Sequence, residues 1–219
     1  MSSRQMRAYS LNEEMAHAVS HGLGAVASIV GLVVLVALAS LYGKTVHIVA
    51  VSLFGGSLIL TYTASTLYHS IPIAAAQRIL HTLDHASIYV LIAGSYTPFA
   101  LISLSGPTGW WLFGIVWTLA LAGVIFKLFF TGRFHGLSLG LYLAMGWLVV
   151  LFAKPVIASV PMPALILLAL GGLSYTLGAL FYARRSLHFN HAIWHVFVLL
   201  GSTLHFFAVL RVLPGPTSG

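Results

Sequence analysis

The chain contains no cysteine, so it can form neither a disulfide framework nor a thiolate metal site, and any metal must be held by His, Asp or Glu. Acidic residues are almost as scarce, since only 3 of the 219 residues are Asp or Glu and charged residues make up 6% of the total. With 59% apolar residues, this composition excludes a soluble domain, because a water-facing surface needs far more charge. The chain is expected to be an integral membrane protein.

Long apolar runs fill nearly the whole chain. About 20 apolar residues cross a hydrocarbon core of roughly 30 Å as an α-helix, and continuous runs argue against the alternating strands of a β-barrel. Residues 1–18 are expected to form a short cytoplasmic N-terminal segment, residues 19–211 one transmembrane domain, and residues 212–219 a C-terminal tail. The sequence predicts an all-α bundle of seven transmembrane helices near 19–42, 46–68, 82–103, 109–130, 136–153, 163–183 and 191–211.

The basic residues predict an orientation for this bundle. A cytoplasmic N-terminus would place seven of them inside and three outside, which agrees with the positive-inside rule, and an odd number of spans puts the C-terminus outside. The alternative is that single charges near helix ends only snorkel to the interface. The inside set is Arg4, Arg7, Arg78, Lys127, Arg133, Arg184 and Arg185, and the outside set is Lys44, Lys154 and Arg211.

Histidines gather at the ends of spans that share one membrane face. His191 and His195 open the seventh span four residues apart, so their rings stack on one helix face about 5.4 Å apart along the axis. His69 closes the second span at the same leaflet and could be a third ligand. Because a polar side chain at membrane depth is costly unless it is used, the sequence predicts a metal site formed by these three residues.

Two further polar residues lie at the same depth. Asp84 is the only acidic residue within the predicted spans, and a carboxylate beside a metal dication can accept a proton from water or orient that water. Ser65 lies four residues before His69 on the same helix face and could orient that ligand. Three imidazole ligands leave a fourth position open, which is typical of hydrolytic sites. Asp84 and Ser65 are therefore the candidate catalytic residues.

Other histidines leave alternatives open, because a single histidine at a helix end is most often an interfacial or hydrogen-bonded residue. His81 and His85 form a competing pair around Asp84, and since Asp84 and His85 point about 100° apart on a helix, only one of them can face the site fully. His205 would lie about 21 Å deeper than His191, too far for the same ion. Boundary positions are predicted for His47, His135 and His188.

Two local features affect helix geometry. Residues 136–140 match the G-x-S-x-G string of serine hydrolases, but that elbow needs a preceding strand, whereas here the string opens an apolar span. We interpret Gly136 and Gly140 as small residues that allow close helix packing. Pro98 is expected to kink the third span and widen a cavity beside Asp84.

Four groups of residues together resemble the hemolysin III branch of the progestin and adipoQ receptor superfamily, and the resemblance covers essentially the whole chain. They are Glu14, His17 and Ser20-His21-Gly22; Ser65 and His69; His81, Asp84 and His85 with Ala93-Gly94-Ser95-Tyr96-Thr97-Pro98; and His191, Trp194 and His195.

This resemblance implies seven helices and a zinc ion held by His69, His191 and His195, with Ser65 and Asp84 near it. It also implies a bacterial inner-membrane protein that hydrolyses a lipid amide or ester, as ceramidases do, in membrane-lipid homeostasis. The alternatives are a hemolytic pore or a lipid sensor in which zinc is structural. A membrane lipid is the expected partner and nucleic acid is not, because the basic residues are scattered. Glu14, His17 and His21 could form a lid over the cytoplasmic mouth.

Overall fold

The computed structural model describes residues 9–104, 106–184 and 186–216. Within these ranges the regular structure is helical, and seven helices are long and apolar enough to cross a membrane. The predicted all-α transmembrane bundle is therefore confirmed. The helices are α1 (Leu11–Tyr42), α2 (Thr45–Ser70), α3 (Ala74–Leu104), α4 (Gly106–Phe130), α5 (His135–Ser159), α6 (Met162–Ala183) and α7 (Asn190–Leu210).

Successive helices run in opposite directions, so the beginnings of α1, α3, α5 and α7 share one end of the bundle with the ends of α2, α4 and α6. We call it the histidine end, because His69 and His191 lie there. Which membrane face this end occupies stays a prediction.

Two helices begin well before their apolar runs. α1 begins at Leu11 rather than at residue 19, and α3 begins at Ala74 rather than at residue 82. At α1 the Ser10 hydroxyl accepts from the Glu13 backbone N–H at 3.3 Å, while the Glu13 carboxylate accepts from the Ser10 N–H at 3.0 Å. This reciprocal cap starts a helix in polar sequence, where hydropathy gives no signal. Part of the predicted N-terminal segment is therefore helical and belongs to α1.

Pro98 marks a change of helix type within α3. The α-helical part, Ala74–Pro98, is followed by a π-helical turn over Phe99–Leu104. Proline has no backbone N–H and its ring crowds the preceding turn, so a regular α-helix is interrupted there. A cavity lined by Asp84 also reaches Tyr96 and Phe99 on either side of this proline. The expected irregularity is thus present.

The core lies in two regions that meet at α3. One joins α1, α2 and α7 through buried side chains that include Leu35, Phe54, Tyr62 and Val198. The other joins α3, α4 and α5 around Tyr89, Leu112, Val116, Tyr142 and Met145.

The interpretation of Gly136 and Gly140 as close-packing residues was wrong. A Cβ built on either glycine would meet no atom within 4 Å. These glycines lie on α5, which borders a cavity and makes few contacts with its neighbours. Close packing requires a facing backbone, and α5 has none there.

Candidate metal centre

Three histidines lie together at the histidine end. The ring centroids of His69 and His191 are 5.1 Å apart, those of His69 and His195 are 5.4 Å apart, and those of His191 and His195 are 4.7 Å apart. One ligand atom from each residue lies within 4.8 Å of the other two. All three side chains are buried. The structure thus brings together the residues that the sequence selected as ligands.

The turn before α7 places His191 and His195 in the first turns of that helix. Phe189, the residue before α7, has a left-handed φ of 54°. Its backbone N–H donates to Glu13 Oε1 at 3.3 Å, and Asn190 Nδ2 donates to the carbonyl of Tyr182 at 3.2 Å. These bonds connect the start of α7 to α1 and α6, which fixes the depth of both histidines.

α1 adds two more imidazoles to this cluster. The His17 ring is fully buried, 4.6 Å from the His69 ring and 4.7 Å from the His191 ring. The His21 ring stacks on His195 with centroids 3.4 Å apart and planes at 4°. Sequence reasoning assigned these residues only to a lid. The missed signal is their spacing, which repeats the four-residue separation of His191 and His195 on a helix that begins at the same end.

The Nδ1 atoms of two of these three histidines contact polar groups of α1. His69 Nδ1 donates to Glu14 Oε2 at 2.6 Å. His195 Nδ1 lies 3.1 Å from Ser20 Oγ, and this hydroxyl already donates to a backbone carbonyl at 3.0 Å. Ser20 therefore accepts the bond from His195. When Nδ1 carries the proton, Nε2 keeps the lone pair that binds a metal.

His191, the third of these histidines, has a similar but longer contact. The Tyr9 hydroxyl lies 3.4 Å from His191 Nδ1, and the two rings are 5.5 Å apart. The segment 9–20 therefore places a polar side chain beside Nδ1 of each of the three histidines, a pattern that metal-bound histidines commonly show.

The cluster fits a metal ion by an independent criterion. His69 Nε2 is buried and has no hydrogen-bond partner among the described residues, and the same holds for both ring nitrogens of His17 and of His21. Buried polar atoms are normally paired, so several unpaired imidazole nitrogens in one place indicate a site for an external group. The structure contains a second possible ligand set, formed by Glu14, His17 and His69. One ligand atom from each of these residues also lies within 4.8 Å of the other two. The buried cluster could therefore bind a metal ion.

Asp84 lies beside the cluster and belongs to neither ligand set. Its Oδ2 is 3.3 Å from His85 Nδ1, which is also 3.1 Å from the carbonyl of His81. Asp84 and His85 both line the cavity, although the helical angle between them predicted that only one would face the site. The two side chains converge because they pair with each other.

Ser65 is buried on α2, and its hydroxyl has no hydrogen-bond partner among the described residues. The structure does not connect it to His69, whose Nδ1 is engaged by Glu14 instead. Its role beside the metal stays a prediction.

Four other histidines lie outside both ligand sets. His205 packs against Tyr175 with ring centroids 5.3 Å apart. His47 Nδ1 accepts from the Lys44 N–H at 2.9 Å next to the α1–α2 connection. His135 is the first residue of α5 and His188 precedes α7. The last three occupy the boundary positions that the sequence predicts.

A cavity of about 340 Å³ adjoins the cluster. At the histidine end it is lined by Asp84, His191 and His195, and elsewhere mainly by aliphatic and aromatic side chains of α3 to α7. Its wall also includes Trp147, Val150 and Ile157 of α5, which are 40%, 59% and 63% exposed. The cavity therefore extends from the cluster to exposed residues of α5.

The fold and the cluster define a multi-pass membrane protein with a buried histidine site that could hold a metal ion. A family model described as Haemolysin-III related matches residues 9–206. This chain belongs to that family.

Named relatives extend over nearly the whole chain. It is 47% identical to Hemolysin-3 of Bacillus cereus over 205 residues, which covers 93% of this chain and 94% of the relative. It is 48% identical to the Hemolysin-3 homolog of Bacillus subtilis (strain 168) over 202 residues, covering 92% and 95% of the two chains. The human Monocyte to macrophage differentiation factor is 28% identical over 210 residues, covering 92% and 84%. This mammalian relative supports the link to the progestin and adipoQ receptor superfamily.

Proposed function

We propose that this protein is a zinc-dependent hydrolase that cleaves an amide or ester bond of a membrane lipid. It would act in membrane-lipid homeostasis in a bacterial inner membrane, with its histidine end at the cytoplasmic leaflet. The observation that carries the proposal is the largely apolar cavity that extends from exposed residues of α5 to His191, His195 and Asp84. A metal that only ties helices together needs no such access, whereas a lipid substrate does.

Each site residue has its own role in the proposed reaction. His69, His191 and His195 would hold Zn²⁺, which when bound supplies a Lewis acid that polarises a carbonyl group and activates water. Asp84 lines the cavity beside two of these ligands and would accept the proton released during attack. The contact of its Oδ2 with His85 at 3.3 Å orients the carboxylate. Ser65 would assist from its buried position on α2.

The test separates metal binding from turnover. Purified wild-type protein is expected to contain about one zinc ion per chain and to release fatty acid from a panel of ceramides and phospholipids. Asp84→Asn should keep the metal and reduce hydrolysis by about 100-fold or more, because a positioned general base contributes at least that factor. Elemental analysis and product release measure the two effects. Wild-type protein that holds zinc and hydrolyses none of these lipids would contradict the proposal.

Two further variants distinguish the two candidate ligand sets. His191→Ala is expected to abolish zinc binding, while His17→Ala should retain it. His47→Ala, at the other end of α2 from His69, is the matched control. If His17→Ala loses zinc and His191→Ala retains it, the ion would instead be assigned to Glu14, His17 and His69.

The names of the two Bacillus relatives support a second candidate, a hemolytic pore. A conducting pore needs a wet polar lining, and the cavity lining of a single chain is mainly apolar, so a pore would have to form between several chains. Dye release from lipid vesicles tests this function. Release that is equal for wild-type protein and Asp84→Asn would favour the pore over the hydrolase.

A further inference from the structure

A buried lysine lines the same cavity and takes no part in the proposed chemistry. Lys127, three residues before the end of α4, is 1% exposed. Its Nζ donates to Ser138 Oγ of α5 at 2.7 Å and lies 5.8 Å from the centre of the Tyr142 ring. Both partners are neutral. Ser138 is the central residue of the G-x-S-x-G string, so the structure gives that segment a role that the sequence did not predict.

The side-chain carboxylates of the protein are all engaged elsewhere. The chain has 3 acidic residues. Glu13 bonds with Ser10, Glu14 with His69, and Asp84 with His85. None of the ion pairs formed by the described residues includes Lys127. A buried ammonium group is costly without an opposite charge, so this lysine lacks the partner that its burial requires.

The cavity around Lys127 has the shape and polarity to receive a lipid. Its polar wall at the histidine end includes Lys127, Ser138 and Tyr142. From Ser138 it follows α5 as far as Ile157, a helical distance of roughly 30 Å at about 1.5 Å per α-helical residue and about 2.0 Å per residue in the 3-10 segment Trp147–Phe152. The intervening wall is largely aliphatic and aromatic. Asp84 lines the same end, but its carboxylate is paired with His85, which leaves Lys127 as the cation without an opposite charge. A cation at one end of a long apolar cavity matches an acyl chain with an anionic head.

We propose that Lys127 is the headgroup site for an acyl-chain lipid that carries a phosphate or carboxylate group, with the chain lying in the cavity along α5. Ser138 Oγ and the Tyr142 ring hold the ammonium group in position, and the anion takes the remaining N–H donors of Nζ. This site goes beyond the proposed hydrolase, since binding there requires neither a metal nor turnover.

The test measures lipid binding to the full-length protein by native mass spectrometry. The probes are oleate, lysophosphatidylglycerol, the uncharged oleyl alcohol and inorganic phosphate. Wild-type protein should bind the two anionic lipids at least about tenfold more tightly than oleyl alcohol, the difference expected for one charge-assisted hydrogen bond. Comparison of oleate with lysophosphatidylglycerol identifies the preferred anion. Displacement of both by millimolar phosphate would assign the site to a free anion and overturn the lipid proposal.

Variants connect the preference to one side chain. Lys127→Gln should lose the preference for anionic lipids while keeping the affinity for oleyl alcohol, and Lys127→Arg should retain it. Lys154→Gln is the matched control, because Lys154 is an exposed lysine of α5. Ser138→Ala should weaken anion binding without removing a charge, which keeps the test available if Lys127→Gln does not fold. An unchanged preference in folded Lys127→Gln would overturn the proposal.

A further measurement keeps the lipid-binding test independent of the proposed hydrolase activity. Wild-type protein treated with a chelator, which removes bound metal without changing the cavity wall, should bind oleate as the untreated protein does. If the protein proves to have neither zinc nor hydrolase activity, the oleate-binding result still tests the lipid site at Lys127.

Discussion

The two sides of the bundle are packed differently. Around α1, α2, α3 and α7, several glycines lie where a Cβ would clash: a Cβ on Gly24 would lie 2.7 Å from Leu199 Cδ2, and one on Gly94 would lie 2.6 Å from Ser57 Cβ. On α5, a Cβ on Gly136, Gly140 or Gly146 would meet no atom within 4 Å. The first side carries the histidine cluster, and the second forms a wall of the cavity.

This difference corresponds to two requirements of one site. Metal ligands must be held to within a fraction of an ångström, which a close-packed interface between helices provides. The lipid of the proposed hydrolase would have to enter from the membrane, and a loosely packed helix would allow this. The packed side should therefore control metal affinity and stability, whereas the α5 side should control access and tolerate substitution.

The largest effect is expected on the packed side, from Glu14→Gln. This change weakens the acceptor for His69 Nδ1, which lies 2.6 Å from the Glu14 carboxylate. Loss of such a partner typically lowers metal affinity by about 10–100-fold. Zinc affinity measured by chelator competition checks it.

Glu13→Gln is the matched control one residue earlier, because the Glu13 carboxylate bonds with Ser10 and the Phe189 backbone rather than with a histidine. It should leave zinc affinity near the wild-type value. Equal losses in the two variants would mean that α1 acts only by its general packing.

A smaller effect is expected for Gly94→Ala at the α2–α3 interface. The added methyl group would also lie 3.2 Å from the backbone carbonyl oxygen of Leu53, which cannot turn away as a side chain can. Overpacking of this kind costs about 1–3 kcal/mol. Thermal unfolding in detergent should therefore show a lower midpoint. An unchanged midpoint would show that the packed side is less rigid than its geometry indicates.

The smallest effect is expected for Gly140→Ala on α5. The new methyl group meets open space, and alanine is favoured over glycine in a helix by about 0.5–1 kcal/mol. The unfolding midpoint should stay the same or rise slightly, with zinc content unchanged. A marked loss of stability would contradict the difference in packing between the two sides of the bundle.

Hydropathy predicted which segments cross the membrane because each span must satisfy its own backbone hydrogen bonds in lipid. It misplaced the starts of α1 and α3, where polar residues continue the helix beyond the apolar run. It also misinterpreted Gly136 and Gly140, since a glycine pattern does not show whether a neighbouring helix faces it.

For the site, the topology was enough to select His69, His191 and His195, because their depth follows from span order and helical spacing. The contributions of His17 and His21 were missed, since the first span was predicted to begin at residue 19, after His17 and only two residues before His21. In the sequence, Lys127 was used only as one of the basic residues that predict the orientation of the bundle. Its inward position depends on the packing of α4 against α5.

The sequence by itself determined the membrane-spanning architecture and the end of the bundle at which the histidines gather, because both follow from local hydropathy and helical periodicity. Only the tertiary structure decided which side chains meet: the contacts of residues 9–20 with Nδ1 of the three histidines, the pairing of Asp84 with His85, and the burial of Lys127 in a cavity. Those contacts depend on the rotation and tilt of each helix, which are set by packing between helices that are distant in the chain.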